Sequence, residues 1–237
     1  MGNGTTMSTY GQFCPVARAM DLLDERWTLL VIRELLEGSR HFNELRRGVP
    51  RMSTALLTKR LRTLVAAGIV ERHEDTSRVV YELTPAGQEL RGIVEALGTW
   101  GIRWMPELGD EHLDPHLLLW DLHRNLDLDA MPDTRTVLAF HLHDTRPAAR
   151  DWWVVASDGQ VDLCDVDPGW EVTARIEASL ETLTRVWVGE IAWEQAVRVG
   201  ALRTIAAESI RRQVPRWLKL SAFAKVPRPG GGDVLGA

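Results

Sequence analysis

The sequence predicts a two-domain α+β protein, in which a helical half ending in a β-hairpin precedes a half that mixes strands with helices. Two observations support this prediction. Apolar residues recur at helical spacing through most of residues 13–105, and they alternate in several short stretches after residue 116. Between the halves, residues 106–115 hold four acidic residues and a glycine between two prolines, which is typical of a linker. We therefore expect domains at residues 13–105 and 116–225.

Composition favours a globular protein with its own core. Hydrophobic residues make up 45% and charged residues 26% of the 237 positions. The apolar runs fall far short of the roughly 18 residues that span a membrane, and the polar N-terminus lacks the regions of a secretory signal. We expect a cytoplasmic protein without a membrane partner. Residues 1–12 and the proline- and glycine-rich residues 226–237 are predicted to be disordered.

Charge is distributed unevenly along the chain. Residues 1–105 hold 14 Lys/Arg and 12 Asp/Glu, whereas the rest of the chain holds 14 and 21. Within residues 38–62 there is one acid, Glu44, and there are seven basic residues: Arg40, Arg46, Arg47, Arg51, Lys59, Arg60 and Arg62. Such a local excess indicates either a face that meets a polyanion or a solvated helix face.

The sequence of the first half predicts four successive helices. The first starts at Pro15 and the second ends before Gly38, while the third is short and Gly68 closes the fourth. Either Ser53 or Thr54 caps the fourth helix. The apolar stripe of this helix consists of Leu57, Leu61 and Leu64, and the residues predicted to project from the opposite face are Ala55, Thr58, Lys59 and Arg62.

A hairpin and a long helix complete this half. Residues 69–73 and 79–83 have strand character, and Thr84-Pro85 is a helix start that leads into a helix through residue 104. Short helices, a basic helix, a hairpin and a long helix occur in this order in a winged helix-turn-helix. In that arrangement one helix enters the DNA major groove and the hairpin lies along the minor groove or backbone.

Ordered sequence blocks in residues 13–105 resemble HxlR-type (MarR-like) bacterial regulators. The blocks are Cys14-Pro15-Val16 and the runs 23–35 (LDERWTLLVIREL), 40–45 (RHFNEL), 57–61 (LTKRL), 67–72 (AGIVER) and 81–87 (YELTPAG). The resemblance implies a homodimeric transcription factor that pairs through its terminal helices on a pseudo-palindromic operator of double-stranded DNA. It also implies that the third helix is the supporting helix of the motif and that residues 53–62 form the recognition helix.

The predicted DNA-binding residues are Arg40, Arg51, Ser53, Thr54, Ala55, Thr58, Lys59, Arg62 and Arg78. Ser53 can act as a cap, as a DNA contact or as both. Arg60 lies at the edge of the apolar stripe and can pair with a carboxylate, so it ranks below its neighbours. The wing departs from the family pattern because it is short and carries Glu74 and Asp75, so we expect at most a phosphate contact from Arg78.

The second half predicts an α+β unit. Residues 136–143 alternate as a strand, the Asp158-Gly159 pair predicts a hairpin turn, and residues 171–177 form another strand. Ser179 caps a helix ended by Gly189, and a second helix ends at Gly200. A strand over residues 202–205 and a helix through Trp217 follow.

Residues 178–203 resemble the sterol-carrier-protein-like fold, with a Trp-Xaa-Gly-Glu corner at residues 187–190. This resemblance covers about residues 116–225 and implies an α/β sandwich with an apolar cavity for a hydrophobic small-molecule effector. Trp152, Trp187 and Trp193 are the candidate cavity walls, the alternative for each being an ordinary core position.

Other chemistry has little support in the sequence. Cys14 is a candidate redox sensor, because it starts a helix and some relatives sense oxidants at the matching Cys-Pro position; the alternative is a structural thiol. No metal, cofactor or catalytic motif is expected. We therefore expect a DNA-binding regulator controlled by a hydrophobic molecule. The alternative is a metabolite- or lipid-binding protein with a vestigial DNA-binding domain, which the basic residues 38–62 disfavour.

Overall fold

The computed structural model describes residues 9–75 and 78–228, and the chain divides into two compact units. The N-terminal unit comprises Met1–Leu97 and the C-terminal unit comprises Gly98–Ala237. The division falls inside a helix. The ends that the sequence predicts as disordered lie partly outside the described residues, namely residues 1–8 and 229–237.

The N-terminal unit begins with four helices: α1 (Pro15–Leu23), α2 (Thr28–Leu36), α3 (Phe42–Gly48) and α4 (Thr54–Ala66). Ser53 caps α4, since its Oγ accepts a hydrogen bond from the Leu56 N–H at 3.3 Å. Gly38 and Gly68 follow α2 and α4 with φ of +96° and +70°, a left-handed backbone that favours glycine. The sequence predicts these helix ends closely because they depend on local chemistry.

An antiparallel hairpin follows, formed by β1 (Val70–Asp75) and β2 (Arg78–Leu83). Both strands are longer than predicted, and Thr76 and Ser77 of the predicted wing lie outside the described residues. The next segment contains two helices, α5 (Pro85–Glu89) and α6 (Arg91–Trp104), where the sequence predicts one. The prediction is wrong at Leu90, whose N–H bonds the Gly87 carbonyl at 3.2 Å in the tighter i→i+3 pattern.

The core of this unit lies between α2, α3, α4 and the hairpin. The predicted stripe of α4 is buried as expected, with Leu57 and Leu61 at 1% exposure and Leu64 at 0%. Leucine and valine side chains of α2 and the loop after α3 complete the cluster, among them Val31 and Val49. Packing of this apolar face is the main source of stability for a helix of this length.

The C-terminal unit contains a five-stranded mixed sheet in the order β5-β4-β3-β6-β7. Its strands are β3 (Thr136–Leu142), β4 (Asp151–Ser157), β5 (Gln160–Cys164), β6 (Ala174–Ala178) and β7 (Leu202–Ile205). Strands β3 and β6 pair in parallel, and the other pairs are antiparallel. The predicted turn joins β4 to β5, with Asp158 at φ 53° and Gly159 at φ 73°.

Helices pack on one face of this sheet. They are α7 (Pro115–Arg124), α8 (Leu180–Trp187), α9 (Trp193–Arg198), α10 (Glu208–Arg211) and α11 (Val214–Trp217). Alternate strand residues such as Leu138, Phe140 and Ile176 face α7 and α8 in one buried cluster that also holds Trp217. Two predictions differ from the structure: β6 begins at Ala174, and the last predicted helix is split into α10 and α11.

The acidic segment before α7 contains a short 3-10 helix, Asp110–His112. Within residues 9–75 and 78–228, no helix combines the length and hydropathy that crossing a membrane requires.

Candidate DNA-binding surface

Helix α4 presents one face to solvent and one to the core. Thr54, Ala55, Lys59 and Arg62 are exposed and Thr58 is half-buried, whereas the leucine stripe is buried. Residues spaced three or four apart lie on the same side of a helix, so Ala55, Thr58, Lys59 and Arg62 share this face. The sequence predicts this division correctly.

The side chains on this face have the chemistry that base reading and phosphate binding require. The Thr58 hydroxyl donates to the Thr54 carbonyl at 2.9 Å, so its oxygen remains available as an acceptor. A threonine methyl group is a typical partner of the thymine methyl group, and lysine and arginine bind guanine or phosphate. Ser53 is exposed and acts as the cap, so its hydroxyl already serves the helix.

Arg60 is the exception among the basic residues of α4, because it is only 8% exposed. Its Nε donates to the Arg26 carbonyl at 3.0 Å and its Nη1 pairs with the Glu25 carboxylate. Burial lowers the pKa of the Arg60 guanidinium from its ordinary value. The sequence position at the edge of the stripe indicates such pairing, but it gives no signal for Glu25 as the partner.

Helix α3, the predicted supporting helix, is bonded to α2 through Arg33, which pairs with a buried carboxylate that has no signal in the sequence. Glu34 is fully buried and accepts from Arg33 Nη2 at 2.7 Å, while the Ser39 hydroxyl lies 3.4 Å from its Oε2. The same Arg33 nitrogen donates to the Gly48 carbonyl at 2.9 Å. A Cβ on Gly48 would lie 1.8 Å from Glu34 Oε2, so glycine is required at this contact. These contacts set the spacing between α2 and α3.

Glu44, the single acid of the basic segment, serves the start of α3. Its Oε2 accepts from the backbone N–H groups of Arg40 at 2.8 Å and His41 at 3.0 Å. Arg46 and Arg47 follow on the same helix, where both are exposed.

The remaining predicted DNA contacts lie outside α4. Arg51 is exposed in the loop before α4, and Arg78 is exposed at the first position of β2, opposite Asp75 in the hairpin register. Arg40 is exposed but pairs with Glu82 of β2 at 2.8 Å, so its charge is compensated locally. The structure therefore gathers the residues 53–62 on one helix and leaves Arg40 beside the hairpin.

Comparison with known sequences agrees with this geometry. The family model described as HxlR-like helix-turn-helix matches residues 22–108. An uncharacterised HTH-type transcriptional regulator of Synechocystis sp. is 39% identical over 100 residues, which are 41% of this chain and 74% of that protein. This chain belongs to the HxlR-like helix-turn-helix family. An uncharacterised HTH-type transcriptional regulator of Mycobacterium tuberculosis is 38% identical over 119 residues, 44% of this chain and 73% of the relative.

Solved structures are also similar to part of this chain. The reduced form of the transcriptional regulator YodB from B. subtilis is 32% identical, covers 42% of this chain and 100% of that chain, and has a TM-score of 0.36. The redox regulator HypR in its reduced form is 35% identical, covers 37% of this chain and 90% of that chain, and has a TM-score of 0.35.

The helix ends of this HxlR-like chain expose apolar side chains. Cys14 is half-buried at the N-cap of α1 with a free thiol. Next to it, Phe13 is 97% and Val16 is 69% exposed, although the periodicity of α1 places Val16 on the apolar face. Helix α6 exposes Ile93, Leu97 and Trp100.

The C-terminal unit of the HxlR-like chain holds a narrow apolar cleft between α8, α9 and the segment after α11. Its walls include Leu122, Leu183, Val186, Trp187, Trp193 and Leu218. The centre of a water-sized molecule has about 30 Å³ of room there, far less than the 300 Å³ or more typical of a drug-sized ligand site. Trp187 and Trp193 line this narrow cleft, and Trp187 is also buried in the core cluster of the unit.

Trp152 lies elsewhere in the fold. Its indole N–H donates to the Ala149 carbonyl at 2.9 Å, and its ring meets that of His116 edge-on at 4.9 Å between centroids. It is buried as a core residue. In the described part of the chain, no three His, Cys, Asp or Glu side chains lie close enough together to hold a metal ion.

Proposed function

We propose that this HxlR-like chain is a homodimeric transcriptional regulator that binds an operator in double-stranded DNA through α4. The observation that carries the proposal is the two-sided character of α4, whose leucines are buried while Ala55, Lys59 and Arg62 are exposed. A helix with small and basic side chains on its exposed face fits the major groove. Its lysine and arginine side chains supply the sequence-independent attraction to phosphate. Family membership and the transcriptional regulators among the relatives support the same function.

Dimerisation is proposed from the exposed apolar residues in the first and last helices of the HxlR-like part and directly before the first one. Phe13, Val16, Ile93, Leu97 and Trp100 are all more than 40% exposed. Large exposed apolar side chains grouped on helices are typical of a protein interface. A two-fold dimer presents two copies of α4 to half-sites about one helical turn apart, which accounts for a pseudo-palindromic operator.

The test uses fluorescence anisotropy with a duplex that the wild-type chain enriches from a random pool about three helical turns long. We expect tighter binding to this duplex than to its scrambled sequence, and a steep fall in affinity with salt. Lys59→Ala with Arg62→Ala lowers the salt slope by about 0.9 for each lost phosphate contact. Equal affinity for both duplexes contradicts the proposed function, and an unchanged affinity in the double variant contradicts the assigned recognition helix.

For the C-terminal unit we propose a site for an apolar effector at the cleft beside Trp187 and Trp193. Its support is the composition of the walls, which are leucine, valine and tryptophan side chains together with Pro215 and Lys219. Because the cleft is narrow, an effector binds only when the segment containing Leu218 moves outward. The effector then shifts the balance between DNA-bound and free dimers according to the difference in its affinity for the two. The test is the thermal midpoint of the wild-type chain in toluene-saturated buffer, which should rise because a ligand that binds only the folded state stabilises it. A midpoint that does not rise contradicts the site.

A further inference from the structure

The buried Arg60 connects α4 to the turn between α1 and α2. Its guanidinium bonds two acceptors there, the Arg26 carbonyl at 3.0 Å and the Glu25 carboxylate. Lys59 and Arg62, on either side of Arg60 in the sequence, are exposed. One basic residue of α4 therefore faces the protein while its neighbours face solvent.

The turn that Arg60 contacts has a specific and costly backbone shape. Trp27, the N-cap of α2, has φ of +78°, in the left-handed region that residues other than glycine rarely adopt. The Arg26 carbonyl belongs to the peptide that joins Arg26 to Trp27. The hydrogen bond from Arg60 therefore holds this peptide, and through it the relation of α4 to the start of α2.

We propose that the Glu25–Arg60 pair positions α4 for operator recognition, so that Arg60 is a positioning residue and an acidic residue, Glu25, is required for specific DNA binding. The inference rests on the proposed function. It makes a prediction opposite to simple electrostatics, because removal of an acidic side chain ordinarily strengthens binding to a polyanion.

Stability alone does not account for the pair. The Arg60 side chain is 9% exposed and that of Glu25 is 33% exposed, so forming the pair removes much of the arginine's hydration. Desolvation offsets most of the attraction in such a pair, and replacing both partners with apolar groups is often neutral for stability. The specific consequence of the pair is geometric, because it fixes one position along α4 to one point of the turn.

The experiment compares the operator-to-scrambled affinity ratio of the full chain and its variants, with the enriched duplex described above as the operator. Methionine matches the length of glutamate and of the aliphatic part of arginine, and it removes their hydrogen bonds, so the variants are Glu25→Met, Arg60→Met and the double variant. Two matched controls are Lys59→Met, an exposed base on the same helix, and Glu37→Met, an exposed acid in the same unit.

We expect the double variant to lose operator affinity by about tenfold or more, the scale of one lost base contact, while its affinity for scrambled DNA stays at the wild-type level. Glu25→Met shows the same loss despite removing a negative charge, whereas Glu37→Met keeps the wild-type ratio. Lys59→Met lowers both affinities and reduces the salt slope by about 0.9.

The thermal midpoint of each variant shows whether the variant still folds. Either single variant leaves one charge without its partner, whereas the double variant buries no unpaired charge and should unfold near the wild-type midpoint. A folded double variant that keeps the wild-type ratio overturns the inference and leaves the proposed function intact. A loss of scrambled-DNA affinity in Arg60→Met equal to that of Lys59→Met also overturns it, because Arg60 then contacts phosphate. A wild-type chain without any operator preference defeats the proposed function, and the inference with it.

Discussion

The ring of Phe223 occupies the space beside Gly98 of α6. A Cβ built on Gly98 would lie 2.2 Å from Cζ of Phe223, far inside the normal contact distance. Gly101, one turn later on the same helix, has no atom of the described residues within 4 Å of the corresponding position. The segment after α11 thus packs on α6 only because residue 98 lacks a side chain.

This contact predicts opposite effects for two identical substitutions. Gly98→Ala forces the half-buried Phe223 ring to move and lowers the free energy of unfolding by about 1–2 kcal/mol. Gly101→Ala meets open space and raises it by about 0.5–1 kcal/mol, because alanine is the better helix former. Urea unfolding measures both. In a Phe223→Ala background the Gly98→Ala cost should disappear, and a cost that persists there means that the ring is not its cause.

The contact between Glu34 and Gly48 predicts a non-additive pair. Gly48→Ala places a methyl group within 2 Å of the Glu34 carboxylate, and Glu34→Ala leaves Arg33 without its partner, so we expect each to cost about 3 kcal/mol. In the double variant the methyl group fills the space that the carboxylate vacates, so the combined loss should be clearly smaller than the sum. Chemical denaturation of the four chains gives the coupling free energy. Additive losses contradict the contact.

Local chemistry explains which parts of the fold the sequence predicts. The end of α2 at Gly38, the Ser53 cap and the Asp158-Gly159 turn each depend on a few adjacent residues. The buried stripe of α4 follows from helical periodicity alone. These features include the exposed face of α4, which is the centre of the candidate site.

Contacts between distant positions explain the rest. Arg60 and Glu25 are 35 positions apart, and nothing in their sequence surroundings selects one as the partner of the other. The same holds for Phe223 and Gly98, and for the parallel pairing of β3 with β6, which joins strands separated by β4 and β5. Arg40 is a further example, because it pairs with the distant Glu82 on β2. This pair compensates a charge that the sequence predicts for DNA binding.

Tyr10 predicts a measurable pH dependence in the N-terminal unit. Its hydroxyl donates to Asp24 Oδ2 at 2.6 Å, and this hydrogen bond, with the nearby carboxylate charge, raises the pKa of Tyr10. Because the folded-state pKa is the higher one, the stabilising contribution is complete below the ordinary tyrosine pKa and is lost as pH rises through the raised value.

Spectrophotometric titration of the Tyr81→Phe variant checks the raised pKa. The sequence has two tyrosines, so Tyr10 alone titrates in this variant. We expect a midpoint above that of free tyrosine, and a return to the ordinary value on adding Asp24→Asn. A midpoint that ignores Asp24→Asn contradicts the hydrogen bond.

The cleft beside Trp193 predicts a ligand effect that depends on its width. Trp193 is a half-buried wall of a cleft with about 30 Å³ of room, so Trp193→Ala should destabilise the C-terminal unit by about 2 kcal/mol and open a cavity that toluene can enter. Toluene-saturated buffer should then raise the thermal midpoint of Trp193→Ala more than that of the wild type, because a ligand that binds only the folded state stabilises it. Trp170→Ala is the control, since Trp170 is exposed and stacks on Arg135 at 3.8 Å outside the cleft. Equal shifts in the two variants would mean that toluene acts as a co-solvent and that the cleft is a packed part of the core without a ligand site.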